Sequence, residues 1–504
     1  MFAKFVLSVV TFTVLGGCAI APTHPSLKTA ALPELIPVRD LVADRESTGG
    51  YSVSPDGKKL AWMGTDGVRS AVWVKTIALD DAKAFHTRAR YYRWSADSQF
   101  LAIVTDSGGD ENAHVYVGRV AGGDNKLVDI TPFEKTNSHV LRVVDKDQNG
   151  GSDVVISSNR RDKKLFDVYK LNMATGKLDL MATNPGNVGY WGVDRTGQLR
   201  ARVVVEGDKS HLQIPHSAGT DAANVWKTTA SWSRFDWTNA IEFADNGKSA
   251  WALSNRGRDK MALVKVDLAT GTEAVVYEVP EVDVDRVLIS RKTQQPLFAF
   301  TMPSYPRLEV YDAAMKQQLQ ALAGGQPASM AVTSIDDSES IYTVSVATDK
   351  GSKSYLINGS AAPQLLGENS LSRLAANVAL ATSKPISFTA RDGLQIHGYL
   401  TLPEGTAGKN LPMVLYVHGG PWARDRWANE GQGKTSQMMA NRGYAVLQVN
   451  YRGSSGYGRA FQDKAIGEFA GKMHDDLIDG VNWAVKTGVA DPAKVAIYGG
   501  SYGG

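Results

Sequence analysis

The last ten residues read VAIYGGSYGG, Val495 to Gly504. Val495-Ala496-Ile497-Tyr498 has the continuous apolar character of a strand covered on both faces of a parallel sheet. It runs straight into Gly499-Gly500-Ser501-Tyr502-Gly503, a Gly-x-Ser-x-Gly sequence. Alone, such a match also occurs by chance in glycine-rich turns. Directly after a buried strand it reads as a nucleophile elbow, a turn so sharp that the serine backbone is strained. A side-chain-free residue at 499 or 503 would let the neighbouring strand and helix approach. Ser501 is then the candidate nucleophile, with its Oγ at the carboxyl edge of the sheet, where open α/β sheets bind ligands.

Upstream the same architecture continues. LPMVLYVHGG (from Leu411) and GYAVLQVNYRG (from Gly443) are further buried strands. Met473, Leu477, Val481 and Val485 fall at i, i+4, i+8 and i+12, a helix closed by Gly488. ISFTARDGLQIHGYLTLPEG, from Ile386, is a hairpin turning at Asp392-Gly393. Strands alternating with helical patterns predict a parallel α/β sheet over 386–504. His418-Gly419-Gly420-Pro421 follows one of these strands, where an oxyanion donor belongs. The Tyr502 N–H and the Gly420 N–H, with Gly419 as second choice, are the candidate donors to a tetrahedral oxyanion. His418 precedes the serine, whereas this fold orders nucleophile, acid, histidine, so its ring is expected to be structural. Arg424, Asp425 and Arg426 are candidates for a substrate carboxyl or carbonyl, or for ordinary ion pairs.

Residues from about 45 to 375 have a different rhythm. Turns rich in Asp, Asn and Gly recur at Ser54, Ser95, Asp145, Asp194, Ala244, Arg291 and Asp336, each followed by an alternating strand. The spacing of about 40 to 50 residues is that of a four-stranded propeller blade. Seven markers predict a seven-bladed β-propeller over 40–375, with a β-sandwich array as the competing reading. The fold class is thus an all-β propeller followed by an α/β-hydrolase domain, incomplete as given.

Composition narrows the function. Lys plus Arg number 55 against 52 Asp plus Glu, a balance that makes no case for nucleic acid. The histidines are scattered with no ligand spacing, so neither metal nor cofactor is expected. One cysteine, Cys18, excludes an intramolecular disulfide. It follows Lys4 and the apolar run Phe5–Leu15, too short for a span of about 20 residues. Leu15-Gly16-Gly17-Cys18 resembles a bacterial lipobox, with residues 1–18 as signal peptide and Cys18 as the lipidated residue. An ordinary signal peptide cut after Ala21 is the alternative. Ala19 after the cysteine implies an outer-membrane-anchored, periplasmic lipoprotein.

VLYVHGGPWARD, GYAVLQVNYRGSSGYG, DDLIDGVNW and DPAKVAIYGGSYGG together resemble the catalytic domain of the prolyl oligopeptidase family, nearest its acylaminoacyl peptidases and bacterial dipeptidyl peptidases. The resemblance implies a serine peptidase acting on short peptides, screened by the propeller, with Ser501 as nucleophile and Tyr502 and the 418–421 loop as oxyanion hole. That family's acid and base follow the nucleophile, so the chain as given is expected to be an inactive amino-terminal part. The same ending is expected to leave the 495–498 strand with an unpaired edge. The dipeptidyl-peptidase IV branch grips the substrate amino terminus with paired glutamates. No Glu-Glu occurs here, and the nearest acidic pair, Asp110-Glu111, is expected to be an exposed turn. An esterase on the same fold and a peptide-binding propeller lipoprotein are the alternatives. Cleavage specificity and oligomeric state stay open.

Overall fold

The structure is a computed structural model describing residues 33–42, 48–106, 108–122, 125–147, 150–216, 225–428 and 430–504. Cys18 and the expected leader lie outside the described residues. Residues 49 to 368 form seven successive antiparallel sheets, each built from consecutive strands. The seven turns read from the sequence each join the first strand of a blade to its second. Their side chains explain why. Ser54 Oγ accepts from Lys59 N at 2.9 Å, Ser95 Oγ from Phe100 N at 2.9 Å, and Asp336 Oδ1 from Ile341 N at 2.9 Å. Each turn thus closes on its own polar side chain.

The first strands are bonded to one another around the axis. The Trp94 indole donates to Ser52 O at 3.3 Å, Val140 N donates to Tyr91 Oη at 3.1 Å, and the Tyr190 hydroxyl donates to Ala240 O at 3.4 Å. The ring closes where Val53 N donates to Ser334 Oγ at 2.7 Å and Thr333 Oγ1 donates to Tyr51 O at 2.9 Å. First and last blades exchange no strand.

Blade six departs from the four-stranded expectation. It has three strands, Val284–Ile289, Pro296–Thr301 and Arg307–Val310, followed by a helix, Ala313–Ala323. AAMKQQLQALA is rich in strong helix formers. Asp312 caps it by accepting from Met315 N at 2.7 Å, and Gly324 ends it at φ +58°. Met315 and Leu319, one turn apart, bury against the Phe298 and Val344 core.

The second unit is a five-stranded sheet in the order Thr382–Thr389, Gln395–Leu402, Ala445–Asn450, Leu411–Val417, Ala490–Gly499. The first two neighbouring pairs are antiparallel and the last two parallel. Met413, Leu415, Val417, Leu447 and Val449 are buried at its centre, under the helix Lys472–Lys486 with Met473 and Leu477. Gly480 of that helix is where a side chain would strike Val449 and Phe388. Among the described residues the Ala490–Gly499 strand is paired on one side only, and Ile497 and Tyr498 are exposed.

Three limits differ from the expected 40–375 and 386–504. The blades run from 49 to 368, and the second sheet begins at Thr382. The short helices Val38–Val42, before the first blade, and Ser370–Ala375, after the last, share an apolar cluster of Ile36, Leu41, Leu371, Leu380 and Met438.

Candidate active site

Ser501 has φ +57°, a left-handed conformation that a non-glycine residue adopts only when its surroundings impose it. The imposition comes from both flanks. A methyl group on Gly499 would sit 2.8 Å from the Val417 carbonyl oxygen and run into the Gly503 carbonyl. One on Gly503 would lie 2.9 Å from the Val417 carbonyl carbon. A 3₁₀ turn over Ser501–Gly503 follows, with Gly503 N donating to Gly500 O at 3.0 Å. The strained elbow read from VAIYGGSYGG is present, and both Gly499 and Gly503, rather than one of them, exclude a side chain.

The 418–421 loop lies over this turn because of strand register. Val417 pairs with Gly499 in the parallel ladder, so the two strands end together and both loops emerge at one edge. A methyl built on Gly419 would be 3.1 Å from Ser501 Cβ and 3.7 Å from its Oγ. Gly420, at φ +132°, turns the chain immediately afterwards. Among the described residues the amides of Gly419 and Gly420 have no intramolecular acceptor. Ser501, Tyr502 and Gly420 are therefore brought into one small region, with Gly419 the loop residue nearest the serine side chain.

His418 is a support. Its ring is buried, with Nδ1 2.8 Å from Gly419 O and Nε2 3.0 Å from Ser454 Oγ. It stacks on Tyr451 at 4.5 Å between ring centres. Burial pulls its pKa down to about 4, so the ring is neutral at physiological pH. The neutral ring carries its proton on Nδ1 and donates it to Gly419 O, while the Ser454 hydroxyl beside Nε2 donates its own proton to the Tyr451 carbonyl at 2.7 Å. Among the described residues no histidine ring is hydrogen-bonded to Ser501 Oγ.

Tyr451 and Ser454 were not singled out from the sequence, although NYRGSSGYG carries both. Fully buried Tyr451 donates to His418 O at 3.0 Å and lies 4.9 Å from the Tyr502 ring. Arg452 fixes this loop, with Nε 2.8 Å from Asp476 Oδ2 on the Lys472–Lys486 helix and Nη1 2.7 Å from Asp392 Oδ2 in the first hairpin. The Arg452 guanidinium pulls the Asp392 pKa down to about 2.

Arg424 and Arg426 bind the propeller. Buried Arg424 donates through Nη2 to Met302 O at 3.1 Å and to Tyr457 Oη at 2.9 Å, with its guanidinium 4.1 Å over the Tyr457 ring. Arg426 pairs with Asp285 through both Nη atoms, at 2.5 and 3.0 Å. Asp425 is buried between them, its N–H donating to Asn450 Oδ1 at 2.7 Å. Of the two alternatives read for this triplet, Arg426 takes the ion-pair one, and both arginines join the hydrolase unit to the propeller. Asp110 accepts from Asn112 N at 3.0 Å in an exposed turn, and Glu111 has φ +63°. The Asp110-Glu111 turn is as expected.

A relative matching nearly the whole chain settles the family. Dipeptidyl aminopeptidase BIII of Pseudoxanthomonas mexicana is 33% identical over 512 residues, covering 94% of this chain and 68% of the relative. The chain belongs to the prolyl oligopeptidase family. The family's sequence profile matches residues 431–504 directly. Dipeptidyl peptidase family member 6 of Caenorhabditis elegans is 26% identical, again over 94% of this chain and 68% of the relative. Among solved structures, a puromycin-hydrolyzing peptidase of Mycobacterium tuberculosis superposes with a TM-score of 0.68 at 18% identity, covering 95% of this chain and 78% of that one. The propeller-plus-hydrolase architecture is shared with it. This member of the prolyl oligopeptidase family is a serine peptidase, a hydrolase.

Proposed function

We propose that Ser501 attacks the scissile carbonyl and carries the acyl group, and that the Tyr502 and Gly420 amides hold the oxyanion. The observation that carries this reading is the φ of +57° at Ser501, enforced by Gly499 and Gly503 beneath a glycine loop. Strain of about 1–3 kcal/mol at a single residue persists where the surroundings over-determine it, as at a nucleophile. Buried His418 is not the base, since both its nitrogens are engaged elsewhere. No base or acid is assigned among the described residues.

The substrate class follows from two relatives named as dipeptidyl peptidases along 94% of this chain. The reading is release of a dipeptide from the free amino terminus of a short peptide. Fluorogenic dipeptidyl amides, free or acetylated at the amino terminus, test it. Preference for the free form supports dipeptidyl release. Preference for the acetylated form points to acylaminoacyl cleavage instead.

The lipobox-like Leu15–Cys18 supports anchoring of the protein at the outer membrane through Cys18, in the periplasm. Radiolabelled palmitate should enter the wild type and not Cys18→Ala. Equal labelling of both would refute the anchor.

A further inference from the structure

The propeller axis holds a charged cavity far from Ser501. The hydrolase unit meets the propeller through loops such as those carrying Asp259, Met302 and Asp349, which join second to third strands. The turns joining first to second strands lie at the opposite mouth. There a cavity of about 270 Å³ is lined by Arg93, Arg142, Arg195 and Arg291, with only Glu242 and Asp145 as carboxylates. These residues come from five different blades.

Most of this charge is paired between blades. Arg142 and Arg195 share buried Glu242, each with a nitrogen 3.1 Å from Oε2. Arg291 pairs with Asp145 and, at 3.1 Å, with Asp337 of the last blade. Arg93 is different. Its Nη1 donates to the Tyr92 carbonyl at 2.9 Å and its guanidinium lies 5.1 Å from the Tyr91 ring centre. Among the described residues it has no carboxylate partner. Of the four guanidiniums, Arg142 and Arg195 share one carboxylate, Arg291 takes two, and Arg93 takes none.

We infer that this mouth is a binding site for a multivalent oxyanion, held by Arg93 with Arg142 and Arg195. The guanidinium forks suit phosphate or paired carboxylates, which they can grip bidentately. An anion held there would also bridge blades two, three and four. Two sources carry this chemistry, free inorganic phosphate and the side chains of an acidic peptide.

The test is thermal unfolding of the full chain in phosphate against chloride at matched ionic strength. A parallel arm compares D-Glu-D-Glu with D-Gln-D-Gln, which resist cleavage. The site predicts a saturable rise in Tm with phosphate, with the acidic dipeptide, or with both. Phosphate alone identifies a free small anion, and the dipeptide alone identifies acidic peptides. In Arg93→Gln the apparent affinity should fall about tenfold or more, the usual effect of losing a charge-assisted bond. Arg119→Gln, on the outer part of blade two, should bind as wild type. If Arg93→Gln does not fold, Arg93→Lys keeps the charge, loses the fork and should still bind more weakly. No rise beyond chloride, or wild-type affinity in the Arg93 variants, overturns the site.

Discussion

Gly419 lies so close to Ser501 that any side chain there would press on the proposed nucleophile. A methyl there would crowd Ser501 Cβ at 3.1 Å, yet its other near neighbour is only the Gly500 carbonyl. Gly419→Ala is expected to lower kcat/KM by about two to three powers of ten, the cost of disturbing an oxyanion hole. Tm should move little, and steady-state kinetics beside calorimetry checks both. His418 links the same loop to pH. Its pKa falls from 6.5 unfolded to about 4 folded, because burial disfavours the charged ring. The folded state binds fewer protons in that interval. Stability is therefore full above about pH 6.5 and is lost progressively as pH falls towards about 4. The term amounts to roughly 3 kcal/mol at most. Urea unfolding of wild type and His418→Gln across this range should show a flatter pH dependence in the variant.

At the scale of elements, legibility followed the chemistry of the buried face. The helix over Lys472–Lys486 was visible because Met473 and Leu477 repeat at helical spacing and are buried. The helix Glu430–Asn441 was not read, and its buried face shows why. Gln437 accepts from Ala381 N at 2.9 Å and donates to Ala381 O at 2.7 Å, while Asn441 accepts from Ile36 N at 2.8 Å. Hydrogen bonds do there what apolar packing does elsewhere, so no hydrophobic period appears. Gln437→Leu should then destabilise by about 1–3 kcal/mol, since the Ala381 backbone loses its partners inside the protein. A neutral result in denaturant titration would show that water replaces them. The elbow itself was legible because its glycines are dictated by backbone contacts with Val417 and Gly503, which leave no other residue type possible. The roles of Tyr451 and Ser454 were hidden, because they act by touching His418 across the fold.

For the whole molecule, the seven turns and the change of rhythm from Pro385 gave the two-part architecture, whereas the contacts between the parts were invisible. Arg424 and Arg426 looked like substrate ligands or surface pairs, and they prove to hold Met302 and Asp285 of the propeller. Arg424→Met should loosen that joint and separate one calorimetric transition into two. A single unshifted transition would mean the domains are coupled elsewhere. The central claim is that one serine, strained between two glycines at the hydrolase edge, performs the chemistry beneath the propeller. The most direct measurement is fluorophosphonate labelling of the full-length protein followed by peptide mapping. The account predicts one adduct, on Ser501, that disappears in Ser501→Ala together with peptide hydrolysis. An adduct on another residue, or hydrolysis that survives Ser501→Ala, would contradict it.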